Sequence, residues 1–345
     1  MSVETTKPFP IPRRWVRWVG GLLVVVALCG GLLFRVHWVN QRSAAAVARL
    51  REVAGVGDVM STPFPWARFV PARFQSLVPQ RRVPHQVVFH SGIQNPGQYL
   101  RDIPPQDLGY LTFIQSELTP EDVDVLTQFP NLFVLRMSEC QLAEGTLRSL
   151  KNLPTLSELV VWTCTLSSTE TIDYPKLPNL HFLHLTGSNA SDSLLRGMAD
   201  HPRLTWLHLD GTAVTDEGLR EIRRLPRLQR LHLGKTQVTG IGLAELDSPV
   251  TQLNLVGTRA DDRAMTAIAR LSSLESLDLA RTKITVVGIR HLHQLPVLSD
   301  LVLDRCDVGD EALEPLSAFP QPIRWSAIGT RMTRQQSKDA PQRPL

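Results

Sequence analysis

The chain has 345 residues, 43% of them hydrophobic and 20% charged, the range of a folded protein rather than a disordered one. Its net charge of +4 conceals a division: residues 1–105 carry 13 Lys/Arg against 4 Asp/Glu, and residues 106–345 carry 24 against 29. A mildly acidic body argues against a nucleic-acid partner, and four scattered cysteines exclude a disulfide framework or a CxxC zinc site.

Residues 1–17 form a polar tail ending in Arg13, Arg14 and Arg17. Trp18–Phe34 (WVGGLLVVVALCGGLLF) then runs without a charge, and Val36, Trp38 and Val39 extend it once Arg35 snorkels. Trp15, Trp18 and Trp38 stand where an interfacial aromatic belt would. We read 18–39 as a transmembrane signal-anchor helix. A cleaved signal peptide competes with this reading, because Ala44-Ala45-Ala46 offers a cleavage site. Arg35 and Arg42, lying between the hydrophobic core and that site, weigh against it. Basic residues balance across the segment, but a short positive N-terminus favours cytoplasmic retention of that end. The expectation is a single-pass cell-membrane protein with its body outside the cytoplasm. Its basic flank would meet anionic lipid.

Residues 40–105 form a basic, Pro-rich connecting region. Ser43–Val53 (SAAAVARLREV) reads as a short helix, and Pro63, Pro65, Pro71, Pro79 and Pro84 then deny long regular elements. A degenerate capping repeat reads from Pro84, with Val87 and Phe89 in strand positions.

From Leu108 the sequence repeats itself. The clearest unit, Leu204-Thr-Trp-Leu-His-Leu-Asp-Gly-Thr-Ala-Val214, continues through Thr215-Asp-Glu-Gly-Leu219 to Ile222, Leu225 and Pro226. Ten units begin at Leu108, Leu132, Leu156, Leu180, Leu204, Leu228, Val250, Leu274, Leu298 and Pro322. Steps are 24 residues, with one of 22 between Leu228 and Val250. Leu207 and Leu209 point to one side of a strand and His208 to the other. No single strand can bury its leucines alone, so the units must stack into a parallel sheet with a shared core. Leu219, Ile222 and Leu225 supply the apolar stripe of a helix packed behind.

Thr119-Pro-Glu-Asp122 and Ser167-Ser-Thr-Glu170 read as helix starts. Asp192, Asp216, Asp262 and Asp310 read as caps of their own helices. After each strand stands a small side chain with a hydroxyl or thiol: Ser116, Cys140, Cys164, Ser188, Thr212, Thr236, Thr258, Thr282, Cys306 and Thr330. Turned inward, it would satisfy buried loop backbone groups. Units three and six depart from the pattern at Asp173-Tyr-Pro175 and Asp247-Ser-Pro249. The polar residues 334–345 read as a disordered tail.

The array, about ten units over 108–333, resembles the cysteine-containing type of leucine-rich repeat, with its Val-Thr-Asp-x-Gly-Leu helix entry at Val214–Leu219. Together with the anchor, the chain resembles bacterial membrane-tethered leucine-rich repeat proteins. The resemblance implies an α/β, right-handed solenoid, with a concave parallel sheet and convex helices, that binds protein.

The outward strand columns remain free for function. Trp162, Phe182 and Trp206 put aromatics where polar residues are usual, and with Arg230 they are residue types that dominate binding hot spots. His184, His208 and His232 form a ladder, one ring per strand, with Asp210 beside it. We take these eight residues as the partner-binding set of a protein-interaction scaffold. The alternative is a metal- or pH-responsive sensor built on the ladder, whose rings would repel once protonated near ~pH 6. A flat ladder seldom converges tetrahedrally, so no metal ligand is assigned. No catalytic or cofactor motif is present, and the expectation is a non-enzyme without cofactors.

Overall fold

The computed structural model describes residues 84–333, apart from 92, 94, 168–170, 199 and 200, together with Ala45, Ala48, Met60 and Ser61. The expected span 18–39, both termini and most of the connecting region lie outside them, as does the Ser168–Glu170 part of one expected capping box. Among the described residues no helix is long and apolar enough to cross a membrane.

The strands, in chain order, begin with β1 (Met60–Ser61), β2 (Pro84–Phe89), β3 (Tyr110–Ile114), β4 (Glu117–Leu118), β5 (Val134–Ser138) and β6 (Gln141–Leu142). They continue with β7 (Glu158–Trp162), β8 (Phe182–His184), β9 (Trp206–His208) and β10 (Arg230–His232). The last are β11 (Gln252–Asn254), β12 (Ser276–Asp278), β13 (Asp300–Val302) and β14 (Arg324–Ser326). Two-residue strands β4 and β6 pair by themselves, and the other twelve form one sheet in chain order. From β2 onward every pairing in that sheet is parallel, with equivalent repeat positions opposite each other, as Leu207, Leu231 and Leu253 are. Outside the repeats, β1 from the connecting region adds to this edge and runs antiparallel to β2.

Alternation along the repeat strands β7 to β13 follows from the period-two geometry: Leu207, Leu231 and Leu277 are wholly buried, and their neighbours are half-buried on the open face. One core cluster runs from Val87 to Met332. The period, the parallel register and the continuous leucine core together make the chain an α/β leucine-rich-repeat solenoid.

Behind the sheet the elements are shorter than the expected helices. Asp262–Ile268 spans seven residues, whereas Tyr174–Lys176 and Ile241–Glu245 are 3-10 turns. These two turns fall in units three and six, where Pro175 and Pro249 disturb the pattern. In unit three the fully buried Tyr174 fills the space, its hydroxyl donating to the Leu194 carbonyl (2.8 Å).

The hydroxyl column turns inward. Thr212 Oγ1 donates to the Leu209 carbonyl, Thr236 to Leu233 and Thr282 to Leu279, each at 2.6 Å. Cys140, Cys164 and Cys306 occupy the same place as buried free thiols, bonded to carbonyls. Their role is satisfaction of buried backbone, in which each such bond contributes about 1 kcal/mol.

The aspartates at the helix entries are not the caps expected of them. Thr215 and Thr285 cap their helices, accepting from Glu217 N and Val287 N (each 3.2 Å), and Thr119 forms a full capping box with Asp122. Asp192 instead reaches forward one unit and accepts from Thr215 N (2.8 Å) and Thr215 Oγ1 (2.7 Å). Asp216 does the same to Thr239, and Asp262 to Thr285. Where the motif is complete, it thus clamps the threonine at the helix entry, Thr215 or Thr285, to the carboxylate of the unit before it. It also explains the motif glycine: a Cβ on Gly218 would lie 2.3 Å from Asp192 Oδ1.

Candidate functional site

Strands β7 to β10 carry the candidate residues, and parallel register decides which of them meet. Phe182 lies opposite Trp206 and Trp206 opposite Arg230, while His184, His208 and His232 follow one another across the same three strands. Ring centroids stand 5.4 Å apart for Phe182–Trp206, 5.4 Å for Phe182–His208 and 5.1 Å for His184–His208. His208 and His232 stack at 4.1 Å, and the Arg230 guanidinium lies 3.9 Å above the Trp206 ring. Cation–π contact of this kind is worth about 0.5–2 kcal/mol depending on its desolvation.

These rings largely cover one another, so Phe182 and Trp206 are half-buried rather than openly exposed. Trp162 differs: it is 43% exposed and belongs to no ring pair among the described residues. The structure therefore brings together seven of the eight expected residues and leaves Trp162 at the margin.

Asp210 joins the cluster through two oxygens with separate duties. Oδ1 accepts from Gly234 N (2.7 Å), and Oδ2 lies 3.7 Å from His232 Nδ1. Gly234 was not among the expected site residues, yet it positions Asp210, because a Cβ there would meet Asp210 Oδ1 at 2.6 Å. The available signal was a glycine in an outward column whose other members mostly carry side chains. Among the histidines, His208 Nε2 is shielded from solvent and has no hydrogen-bond partner within the protein.

Burial pushes the His208 imidazole down to about 4, with repulsion from His232, His184 and Arg230 adding to it. Burial also holds His184 and His232 below the ordinary value, against the opposing pull of Asp210. This runs against the expectation of a ladder that charges as a unit near ~pH 6, where His208, its middle ring, remains neutral. The unfolded chain binds the His208 proton first, so the associated stability is complete above the unfolded value of about 6.5 and is lost as pH falls toward about 4. In an NMR titration the His208 Hε1 resonance should hold steady from about pH 8 to about pH 5.5. A midpoint near the model-peptide value would contradict the burial.

No protein-family model and no curated protein matches the chain. Among solved structures it is similar to an internalin (inlF) from Listeria monocytogenes, at 17% identity and TM-score 0.49, over 73% of this chain and 82% of that one. It is also similar to the mouse RP105/MD-1 complex (17%, TM-score 0.44) and to the plant peptide hormone receptor RGFR1 in complex with RGF2 (13%, TM-score 0.43). Of those two chains it spans 41% and 42%, with 63% and 70% of its own length. The fold assignment rests on this chain's own period and strand register.

Proposed function

We propose that the chain is a membrane-anchored leucine-rich-repeat scaffold, binding rather than catalytic, that holds a protein partner on the concave face of its sheet. Trp162, Phe182, His184, Trp206, His208, Asp210, Arg230 and His232 form the contact set. One observation carries this reading: three adjacent strands, β8 to β10, place aromatic rings, imidazoles and a guanidinium in mutual contact on the open face, while the leucine core beneath is complete without them. Clustered Trp, Arg and aromatic side chains of this kind anchor protein interfaces. The test is affinity capture by the full-length chain, comparing wild type with a variant of this face and a variant of the opposite face.

Anchoring through residues 18–39, with contact between the basic flank and lipid, completes the proposal and rests on the uncharged run in the sequence. A reporter fused to the C-terminus should be active outside the cytoplasm. Activity confined to the cytoplasm would reverse the orientation and change which proteins are available as partners.

A further inference from the structure

We propose that His208, Asp210 and His232 form a binding site for a divalent transition-metal ion of the zinc type. The ladder read from the sequence does not supply this set: it includes Asp210 and omits His184. His208 and Asp210 stand two residues apart at the end of β9, on the same side of the chain, and His232 lies directly across from His208 on β10. One ligand atom from each of the three residues lies within 4.8 Å of the other two.

Tetrahedral zinc, with metal–nitrogen bonds of about 2.05 Å, needs its donor atoms about 3.3 Å apart. Asp210 Oδ2 and His232 Nδ1, at 3.7 Å, are within a few tenths of an ångström of that. Binding would require the His208 ring to turn out of its stack on His232, bringing a nitrogen in from within 4.8 Å. Outer support exists as well, since the Gly234 amide fixes Oδ1 and leaves Oδ2 toward the imidazoles. Ligating carboxylates held this way keep their orientation.

Turn structure alone does not account for the cluster. Asp304 makes the equivalent bond to Ile328 N (2.7 Å) and has Ser326, not histidine, at its other contact. The turn therefore explains the Gly234 bond of Asp210 but not the imidazole of His232 beside its second oxygen, nor His208 within 4.8 Å. His208 Nε2, shielded and without a partner, is a further sign that this ring is not placed for hydrogen bonding within the fold.

Two imidazoles and one carboxylate favour zinc or its neighbours in the first transition row over calcium or magnesium, which take oxygen sets. Three protein ligands leave a fourth position for water or an incoming donor, the pattern of sites that exchange a ligand. On the open face of the sheet, that position is reachable by a partner's side chain.

The test is a cobalt(II) titration of the untagged, metal-stripped full-length chain, read by visible absorption. One equivalent should give the intense bands of four-coordinate cobalt, and one equivalent of zinc should bleach them. His232→Ala should abolish the bands, and His184→Ala should leave them intact. Asp210→Asn, which retains an acceptor for the Gly234 amide, should weaken binding about tenfold or more. Far-UV circular dichroism checks that each variant is folded. Absence of bands in the wild type, or bands that survive His232→Ala, would overturn the site. The outcome is separable from partner binding: capture through Trp206 without cobalt binding refutes the metal site alone.

Discussion

Leu231→Ala should lower the unfolding free energy by about 3–5 kcal/mol, the upper part of the range for a leucine truncated in a close-packed core. Leu231 is wholly buried and lies between Leu207 and Leu253 in the stacked sheet, so the lost methyl groups leave a void bounded by both neighbouring units. Relaxation is limited there, because parallel register fixes the neighbouring strands. Repeat arrays derive stability from each unit and its two interfaces, and a defect in a middle unit weakens both interfaces at once. Urea unfolding followed by circular dichroism measures the effect, and a split transition would show the array parting at this unit. A loss below about 1 kcal/mol would mean that the leucine column is not the shared core its register implies.

Trp206→Glu combined with His208→Ala should reduce partner affinity at least about a hundredfold, while the repeat array stays folded. Trp206 is the centre of the cluster, with Phe182 on one side and Arg230 on the other, and His208 links it to His232. Removing both breaks the ring stack, and the new carboxylate beside Phe182 carries an added desolvation cost in any interface. Neither residue belongs to the leucine core, so thermal unfolding should change little. Val287→Glu is the matching control: Val287 is 57% exposed on the helix Val286–His291, on the opposite side of the solenoid. Capture unchanged by the double substitution, or lost equally with Val287→Glu, would remove the binding face from where we place it.

Much of the architecture is legible in the sequence alone. Each of the ten units from Leu108 to Pro322 has its strand beginning two residues after the unit's first position, as in Tyr110 and Trp206. That follows because a 24-residue spacing of leucines admits few arrangements that bury them all. The inward hydroxyl column was legible for a similar reason: a small donor at one fixed place in every unit has few uses except satisfying backbone. The Asp192–Thr215 clamp was not. Its partners are 23 residues apart, and nothing in a single unit distinguishes a carboxylate that caps its own helix from one that caps the next.

The candidate site divides in the same way. By itself the sequence determined the period, the strands, and which columns face outward, because those depend on alternation within one strand and on the need to bury leucine. Tertiary structure decided who meets whom. Stacking at the spacing of adjacent strands, about 4.8 Å, turns a step of one repeat into side-chain contact. Only then do Phe182, Trp206 and Arg230 cover one another, and only then does Asp210 turn from a turn residue into a neighbour of two histidines. Burial within that contact, and not residue type, holds His208 neutral where an isolated imidazole would begin to charge.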